Sequence, residues 1–395
     1  MNTHTPMIIE ALRSPMGRIK ADGAFVDLHP TELLAQVLVA LVNRTGIDPA
    51  EVGDVITGCV SQVGEQSATP GRVAWLAAGY PEHVPSTTID RKCGSSQQAM
   101  AFAAHAVAAG MHDIVIACGV ESMSRVQMGS ARMGADPFGP SYLRRYGGEQ
   151  VSQGTAAERV AARWRISREA LDQYATRSHH CAHAAARSGQ FDNEIVPVST
   201  PAGMITADET IRPGTTAEGL ATLKPVFVDD RLSQRFPELG DWRVTAGNSS
   251  QKTDGAAAAL IMSERAAIRL GLRPRARFVS FDVRGDDPLM MLTAPISSSR
   301  KVLEKAGMHI GQMDCFEVNE AFACVPLAWQ AELQGDPAKL NPNGGAIALG
   351  HPLGASGLRI TATMLNWLET HGGRYGLQTM CEAGGMANSM IIERL

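Results

Sequence analysis

The sequence predicts an α/β fold built from two similar halves, with a separate segment inserted between them. Short apolar runs alternate with stretches of helical periodicity in the first third of the chain, and the same order returns in the last third. Equivalent positions lie 261 to 263 residues apart, as in the pairs Gly46 and Gly307, Ser96 and Gly357, and Cys118 and Cys381. A spacing this long indicates a duplicated βαβ-rich unit, since solenoid repeats run roughly 20 to 50 residues. Two such halves are expected to pack around a pseudo-two-fold axis.

The first half is predicted to contain strands over residues 7–10, 52–58 and 114–117. Between the first two strands, leucines and valines recur at helical spacing over residues 31–45, and Gly46 follows as a stop. A second helix is predicted over residues 96–109, ending before Gly110. This helix comes directly after Cys93, which a strand-like segment at 87–89 precedes.

The second half repeats this order after residue 300. Residues 300–306 are predicted to be helical until Gly307, and a strand follows at 315–318. A glycine-rich stretch, 354–357, opens a helix that runs to about Glu369, and a last strand covers 377–381.

The segment between the halves differs from them in composition. Residues 123–148 are rich in Met, Gly and Arg, and two helices are predicted after them, 155–164 and 168–187, the second with Ser167 as N-cap and Gly189 as stop. Residues 231–242 are predicted to be a loop. The resulting division is a first half over 1–121, completed by about 248–275, an inserted cap over 122–247, and a second half over 276–395.

Composition excludes several classes of protein. The 395 residues carry a net charge of −4, so there is no basic footprint for nucleic acid. Hydrophobic residues make up 44% and charged residues 19%, against about 25% usually, which argues against disorder. No apolar run approaches the roughly 18 residues of a membrane span, and no signal peptide is evident. Seven scattered cysteines fit neither a disulfide framework nor a zinc ribbon, so a reducing cytoplasm is expected.

Cys93 is the first candidate for chemistry. It lies between a predicted strand and a predicted helix, where the positive end of the helix dipole favours a thiolate. Arg91 and Lys92 are expected to add positive charge nearby. This points to an activated nucleophile. The alternative at this stage is a small buried apolar residue, which is the common role of a free cysteine.

Three further residues follow strands or stand in turns. His351 lies among many small residues in the glycine-rich segment 343–357, as expected where backbone bends sharply or approaches a ligand. Asn319 directly follows a strand, where it could also be a helix cap. Cys381 ends the last strand before a Gly turn and is either a proton donor or a residue of small size. Since the carboxyl ends of parallel strands gather at one site, these side chains are expected to meet Cys93.

The motifs C-G-S-S, N-E-A-F, G-H-P-L-G-A-S-G and a terminal C-E-A-G-G resemble those of the thiolase family, and T-A-G-N-S-S at 245–250 matches a further family block. The resemblance covers essentially the whole chain. It implies a duplicated, five-layered α/β/α/β/α sandwich with a loop domain inserted in the first half. It also implies cleavage of a 3-oxoacyl-CoA through an acyl-cysteine, with coenzyme A as co-substrate, no permanently bound cofactor, and a homodimer or homotetramer.

The resemblance also assigns roles. Cys93 is the nucleophile and His351 its base, Cys381 is the acid/base for the acetyl-CoA carbon, and Asn319 positions a water at a first oxyanion site. The backbone N–H groups of Cys93 and Ala383 form a second oxyanion site.

The family's coenzyme A contacts carry over to four positions. Ser250 faces the pantetheine, Ala321 and Phe322 line its tunnel, and Lys224 takes the place of an arginine near the adenine. Lys224 is as readily explained as a solvated surface lysine.

The chain departs from the family's usual motifs at four places. Asp90 replaces the asparagine of N-x-x-C, Ser96 replaces a glycine, Ser152-Gln153-Gly154 replaces H-M-G, and C-E-A-G-G replaces C-I-G-G-G. The combination of D-R-x-C-G-S-S-Q-Q-A with T-M-C-E-x-G-G resembles actinobacterial thiolases of the steroid-catabolic type.

Three other functions are alternatives to thiolysis. A biosynthetic acetyl-CoA acetyltransferase uses the same site in reverse, a decarboxylating ketosynthase has a second histidine where this chain has Asn319, and a scaffold that binds acyl-CoA without turnover remains open. His179 and His183 share a helical spacing, but a third ligand is not evident, and no metal is expected.

Overall fold

Residues 4–395 are described by the structure, a computed structural model. Its strands are β1 (Pro6–Arg13), β2 (Gly17–Arg18), β3 (Asp54–Gly58), β4 (Ser86–Ile89), β5 (Ile114–Ser122), β6 (Val198–Thr200), β7 (Gly203–Ile205), β8 (Thr253–Ser263), β9 (Ala276–Gly285), β10 (Cys315–Val318), β11 (Tyr375–Glu382) and β12 (Met386–Arg394).

The helices of the two halves are α1 (Pro30–Thr45), α2 (Pro70–Ala77), α3 (Ser95–Ala108), α9 (Glu264–Leu270), α10 (Ala294–Ala306), α11 (Cys324–Leu333), α12 (Ala346–Leu349) and α13 (Ser356–Thr370). Five lie in the inserted segment: α4 (Gly139–Arg145), α5 (Gln153–Arg163), α6 (Arg168–Arg187), α7 (Ala217–Ala221) and α8 (Asp230–Arg235).

The strands form two half-sheets that meet along one seam. The order is β10-β11-β12-β9 in one half and β1-β8-β5-β3-β4 in the other, and β2 pairs with β8. β3, β4 and β5 are parallel, as are β10 and β11, whereas the inner strands are antiparallel. The halves join where β1 pairs with β9 over two residues, Met7 and Ile8.

Alternate residues of the strands belong to different apolar cores, which defines the layers. In β5, Ile114 and Ile116 face α1 and α2, whereas Val115 and Ala117 face a core shared by α3 and α13. That shared core also takes Met390 of β12, so α3 and α13 lie between the half-sheets. With α10 and α11 packed on the outer side of the second half, the predicted five-layered α/β/α/β/α sandwich is confirmed.

The duplication is visible at the predicted equivalent positions. Gly46 ends α1 and Gly307 ends α10, both in the left-handed conformation, with φ of 67° and 63°. Ser96 and Gly357 are the second residues of the two central helices. They lie close together, since Ser96 Oγ accepts a hydrogen bond from the Leu358 N–H at 3.0 Å. Contact between equivalent residues is what a pseudo-two-fold axis requires.

The inserted segment leaves the first half but packs largely on the second. Side chains of α5 and α6 share a core with α11 and β10. A buried arginine of β1 also holds this segment, since Arg13 Nε donates to Glu194 at 2.6 Å and its other nitrogens to Asp208 at 2.7 and 3.0 Å. The segment is therefore fixed to both halves.

Two sequence expectations require correction. The segment 231–242 is not a loop throughout, because α8 occupies Asp230–Arg235, with Asp229 accepting hydrogen bonds from the Arg231 and Leu232 N–H groups as an N-cap. The second half also lacks a strand equivalent to β4: its counterpart is the short helix α12 in the glycine-rich segment. No helix of the described chain combines the length and apolarity that a membrane span requires.

Candidate active site

Cys93 stands in a tight, strained turn between β4 and α3. Lys92 has a φ of 48°, a left-handed value that is uncommon for a residue with a side chain. Asp90 Oδ1 accepts the Lys92 N–H at 2.7 Å, and Ser95 Oγ accepts the Arg91 N–H at 2.9 Å. Asp90 therefore holds the turn that carries the cysteine.

The electrostatics of Cys93 differ from the sequence expectation. Burial raises the pKa of its thiol well above the usual value, and Cys381 and Glu382 raise it further. The Lys92 side chain is turned toward Asp90, with Nζ 2.5 Å from the Asp90 carboxylate. The charge of Arg91 lowers the pKa of Glu382. The expected stabilisation of a thiolate by the helix N-terminus and two cations is thus opposed by burial, because desolvation favours the neutral thiol. A base must remove the proton during reaction.

His351 has the form such a base needs. Its Nδ1 lies 2.6 Å from Ser356 Oγ, and the Ser356 hydroxyl donates to the Pro352 carbonyl at 2.8 Å. Since that hydroxyl has one proton, Nδ1–H must be the donor to Ser356, and Nε2 carries a lone pair. Nε2 is buried with no hydrogen-bond partner among the described residues. Burial, aided by Arg359, lowers the pKa of His351 to about 3, so the ring is neutral at rest.

The glycine-rich segment carrying His351 is anchored by a residue that sequence reasoning missed. Glu121, fully buried at the end of β5, accepts the N–H groups of Val60, Ser61 and Gly354, and Gln66 Nε2 donates to it as well. Leu353, in the same segment, packs in one apolar cluster with Cys93. The sequence signal that could have identified Glu121 is an acidic residue at the end of an apolar, strand-like run.

Asn319 and Cys381 lie side by side, as the sequence predicted. Asn319 Nδ2 is 3.8 Å from Cys381 Sγ, and its Oδ1 is buried without a described partner. Burial raises the pKa of Cys381 to about 11, while hydrogen bonds from Asn319 and from two backbone N–H groups lower it. Cys381 is therefore a neutral thiol near pH 7 and can act as a proton donor.

Glu320, the neighbour of Asn319, has a structural role that sequence reasoning did not identify. It accepts hydrogen bonds from Tyr174 Oη at 2.9 Å, Ser178 Oγ at 2.7 Å, Asn341 Nδ2 at 3.0 Å and the Ile347 N–H at 3.1 Å. Glu320 thus joins the inserted helix α6 to the loop after β10 and to the glycine-rich segment.

Ala383 follows β11 in a turn completed by Gly384 and Gly385, which have φ of 93° and 77°. At Gly385 an added methyl group would lie 2.8 Å from backbone oxygens of Asp286 and Asp287. Glycine is required there by both conformation and space. The pairing of the Ala383 and Cys93 N–H groups as an oxyanion site stays a prediction.

Three of the four predicted coenzyme A residues are adjacent. The Ser250 N–H donates to the Ala321 carbonyl at 3.0 Å, and the Phe322 ring meets Phe227 edge-on with centroids 6.0 Å apart. Lys224 is exposed three residues before Phe227, on the same loop. Ser250, Ala321 and Phe322 thus lie beside the loop that carries Lys224, and the contacts of all four residues with coenzyme A stay predictions.

Besides Asp90, two more of the unusual motif residues have clear structural partners. Ser96 bonds the start of α13, as described above, and Gly154 of Ser152-Gln153-Gly154 packs so closely on Phe227 that a methyl group would lie 2.2 Å from its ring. Glu382, the fourth departure, is buried at the end of β11.

The histidines of α6 have other contacts. His179 Nδ1 accepts the Arg212 N–H at 3.1 Å, which marks it as a neutral acceptor, and His180 contacts the Thr215 carbonyl. Across residues 4–395 no group of three potential metal ligands is found.

Two buried thiols and an asparagine therefore stand at or just after the ends of strands, and a neutral imidazole whose Nε2 has no described partner stands just after α12. These groups suit acyl transfer through a thioester. The chain belongs to the thiolase family. Residues 6–265 match the thiolase N-terminal domain and residues 272–394 the thiolase C-terminal domain.

Relatives match along the whole chain. A steroid 3-ketoacyl-CoA thiolase of Mycobacterium tuberculosis is 47% identical, covering 98% of this chain and 94% of the relative. A beta-ketoadipyl-CoA thiolase of Acinetobacter baylyi is 42% identical, covering 98% and 99%. The crystal structure of the Bacillus anthracis acetyl-CoA acetyltransferase superimposes with a TM-score of 0.88 at 36% identity, covering 100% of both chains. The protein is an acyltransferase of the thiolase class.

Proposed function

We propose that the protein cleaves a 3-oxoacyl-CoA by thiolysis, with Cys93 as nucleophile, His351 as its base and Cys381 as the acid for carbon. The observation that carries this proposal is the hydrogen bonding of the His351 ring, from which its tautomer is inferred. Its buried Nε2 holds a lone pair, while Nδ1–H is committed to Ser356. A neutral imidazole can take a proton from a neutral thiol at the moment of attack.

The first half-reaction breaks a carbon–carbon bond. His351 Nε2 takes the Cys93 proton, and the sulfur adds to the 3-keto carbon. As the tetrahedral oxyanion collapses, the electron pair of the Cα–Cβ bond leaves as the acetyl-CoA enolate. The Cys381 thiol gives its proton to that carbon, so acetyl-CoA leaves and an acyl-Cys93 thioester stays behind.

The second half-reaction transfers the acyl group. The Cys381 thiolate left by the first step takes the proton of coenzyme A, whose sulfur attacks the Cys93 thioester. The shortened acyl-CoA leaves, and His351 returns its proton to Cys93. Asn319, by positioning a water, and the Cys93 and Ala383 N–H groups would stabilise the oxyanions, at roughly 3 kcal/mol for one such donor.

The proposed substrates are degradative intermediates, among them bulky CoA esters derived from steroid rings or side chains. The unusual D-R-x-C and C-E motifs support this subtype, as does the 47% identical relative named a steroid 3-ketoacyl-CoA thiolase. Coenzyme A would enter as a co-substrate past Ser250, Ala321 and Phe322, with Lys224 near its adenine end.

The test is the covalent intermediate. Purified protein is mixed with 3-oxoacyl-CoA of linear or polycyclic chains, without free coenzyme A, and intact and peptide masses are measured. We expect an acyl adduct on the Cys93 peptide that disappears when coenzyme A is added, with rates that rank the substrates. Absence of any adduct while coenzyme A still binds would favour the alternative of an acyl-CoA-binding scaffold.

The reverse reaction is the second candidate, since the Bacillus anthracis structure is that of an acetyl-CoA acetyltransferase. Initial rates of acetoacetyl-CoA formation from acetyl-CoA, compared with thiolysis of longer chains, separate the two. We expect thiolysis of the longer chains to be faster.

We also propose a cytoplasmic homodimer or homotetramer. Two catalytic thiols need a reducing compartment, and all seven cysteines are free thiols. In the described chain β4 pairs with β3 alone, which leaves one sheet edge for a second subunit. Light scattering after size-exclusion chromatography would measure the oligomeric state.

A further inference from the structure

Glu382 is a buried acid beside the candidate active site that none of the roles above uses. It is the last residue of β11 and fully buried, and neither carboxyl oxygen has a hydrogen-bond partner among the described residues. An ionised carboxylate at this position would lose its hydration without gaining hydrogen bonds that compensate for the loss. The family's usual motif has an apolar isoleucine at this position.

The carboxyl group lies against the turn that carries the nucleophile. A methyl group added at Gly94 would be 2.0 Å from Glu382 Oε1 and 2.9 Å from both polar atoms of the Asn388 amide. Asn388 Nδ2 donates to the Gly94 carbonyl at 3.1 Å, whereas its Oδ1 has no described partner. Glu382 and Asn388 therefore pack together on the residue that follows Cys93.

This packing favours a protonated carboxyl. Glu382 Oε1 and Asn388 Oδ1 are both acceptors that face the same small space beside Gly94, and a proton on Glu382 would supply the missing donor. Burial raises the pKa of Glu382 to about 8, with Arg91 lowering it and Asp90 raising it. The acid is thus neutral near pH 7 and becomes ionised in mildly alkaline solution.

Ionisation would act directly on the nucleophile. A negative Glu382 raises the pKa of the Cys93 thiol, as does the neighbouring Cys381. The same charge would oppose the oxyanion that forms as Cys93 attacks. At this position a carboxylate hinders the reaction, whereas a carboxylic acid does not.

We propose that Glu382 is a positioning residue, whose neutral carboxylic acid braces the Cys93–Gly94 turn with Asn388 and whose ionisation slows the attack by Cys93. This inference rests on the proposed role of Cys93 as the nucleophile. It gives the enzyme an alkaline limit to its activity that a chain with isoleucine at this position would lack.

The first experiment needs no substrate. Cys93 is alkylated with iodoacetamide between pH 6 and 10 in wild type and in Glu382→Gln, and each cysteine peptide is quantified by mass. Glutamine keeps the shape and the donor but cannot ionise. We expect equal Cys93 rates, within two-fold, at pH 6.5 and a five- to ten-fold faster rate in the variant at pH 9. Cys181, half-buried and on α6, serves as an internal control whose rate should not change.

The second experiment follows kcat/KM for thiolysis with pH. Wild type should lose activity above about pH 8, and Glu382→Gln should keep it. Glu382→Ile provides a second uncharged variant if glutamine impairs folding. Superimposable alkylation profiles for wild type and an uncharged variant would overturn the proposal. Divergent alkylation profiles without any thiolysis would instead mean that the proposed reaction is wrong and the coupling of Glu382 to Cys93 is right.

Discussion

His351 donates its Nδ1–H to Ser356 Oγ over 2.6 Å, and this bond leaves Nε2 as the free nitrogen of the ring. Ser356 begins α13 and is completely buried, so the orientation of the imidazole is set by the start of a central helix. Hydrogen bonds of this kind, made behind a functional histidine, fix its tautomer and ring position.

Removing the Ser356 hydroxyl should therefore impair the base. We expect Ser356→Ala to lower kcat roughly 10- to 100-fold with little change in KM, by analogy with the loss of partners that orient metal-bound histidines. Ser356→Thr, which keeps the hydroxyl, should retain most activity, and melting curves would verify that both variants fold. Equal kcat in Ser356→Ala and wild type would show that the tautomer is set elsewhere.

Substitution of Cys93 and substitution of Cys381 should affect the two half-reactions differently. Cys381→Ala should reduce carbon–carbon cleavage about 100- to 10,000-fold, since the acetyl-CoA carbon loses its acid. Exchange of labelled coenzyme A into an acyl-CoA needs no proton transfer to carbon. It loses only the acceptor of the coenzyme A thiol proton, which solvent can replace, so it should fall less than cleavage. Cys93→Ala should abolish both reactions. Equal losses of cleavage and exchange in Cys381→Ala would contradict the assigned division.

Glu320 should be essential to the fold around the site. Glu320→Ala removes one acceptor and leaves four buried donors behind, which we expect to cost roughly 3 kcal/mol or more of unfolding free energy. Glu332 is the matched control, because its bridge to Arg300 is at the surface and Glu332→Ala should change stability by about 0.5 kcal/mol or less. Urea unfolding monitored by circular dichroism would measure both.

Glu317 should make the fold less stable in alkaline solution. Burial raises its pKa to about 8, against an ordinary value of 4.5, and Arg359 offsets part of the rise. Between these values the folded chain holds a proton that the unfolded chain has released, so stability falls as pH rises through this window.

Between pH 5 and 8.5, the free energy of unfolding of Glu317→Gln should fall by roughly 3 kcal/mol less than that of wild type. Urea unfolding at each pH would measure this difference. Glu332→Gln is again the control, since its pKa is lowered by Arg300 and its effect is confined to acid solution. Parallel curves for wild type and Glu317→Gln would mean that Glu317 is ionised in the folded chain.

Lys224 should affect coenzyme A binding and nothing else. Lys224→Ala should raise the KM for coenzyme A about three-fold with kcat unchanged, because a solvated ion pair contributes little more than about 1 kcal/mol. Lys301, at the surface of α10 beside Glu304, is the control. An unchanged KM for coenzyme A would mean that Lys224 is an ordinary surface lysine with no role in coenzyme A binding.

The sequence by itself determined the fold class, the duplication, the family and the residues that gather at the site. These follow from local information: helical and strand periodicity, glycine stops such as Gly46 and Gly307, and short motifs around Cys93, Asn319, His351 and Cys381. β8, β9 and β12 were not predicted. β8 and β12 are largely buried along their whole length, so neither shows the alternation that marks a strand with one solvated face.

Only the tertiary structure decided the protonation states. From the sequence, Arg91, Lys92 and a helix N-terminus were expected to favour the Cys93 thiolate. In the fold Lys92 turns to Asp90, and burial raises the pKa of the thiol. Desolvation depends on everything that surrounds a group, and most of that comes from remote parts of the chain. The same reason explains why Glu382 looks like one motif change in the sequence and proves to be a buried acid beside the nucleophile.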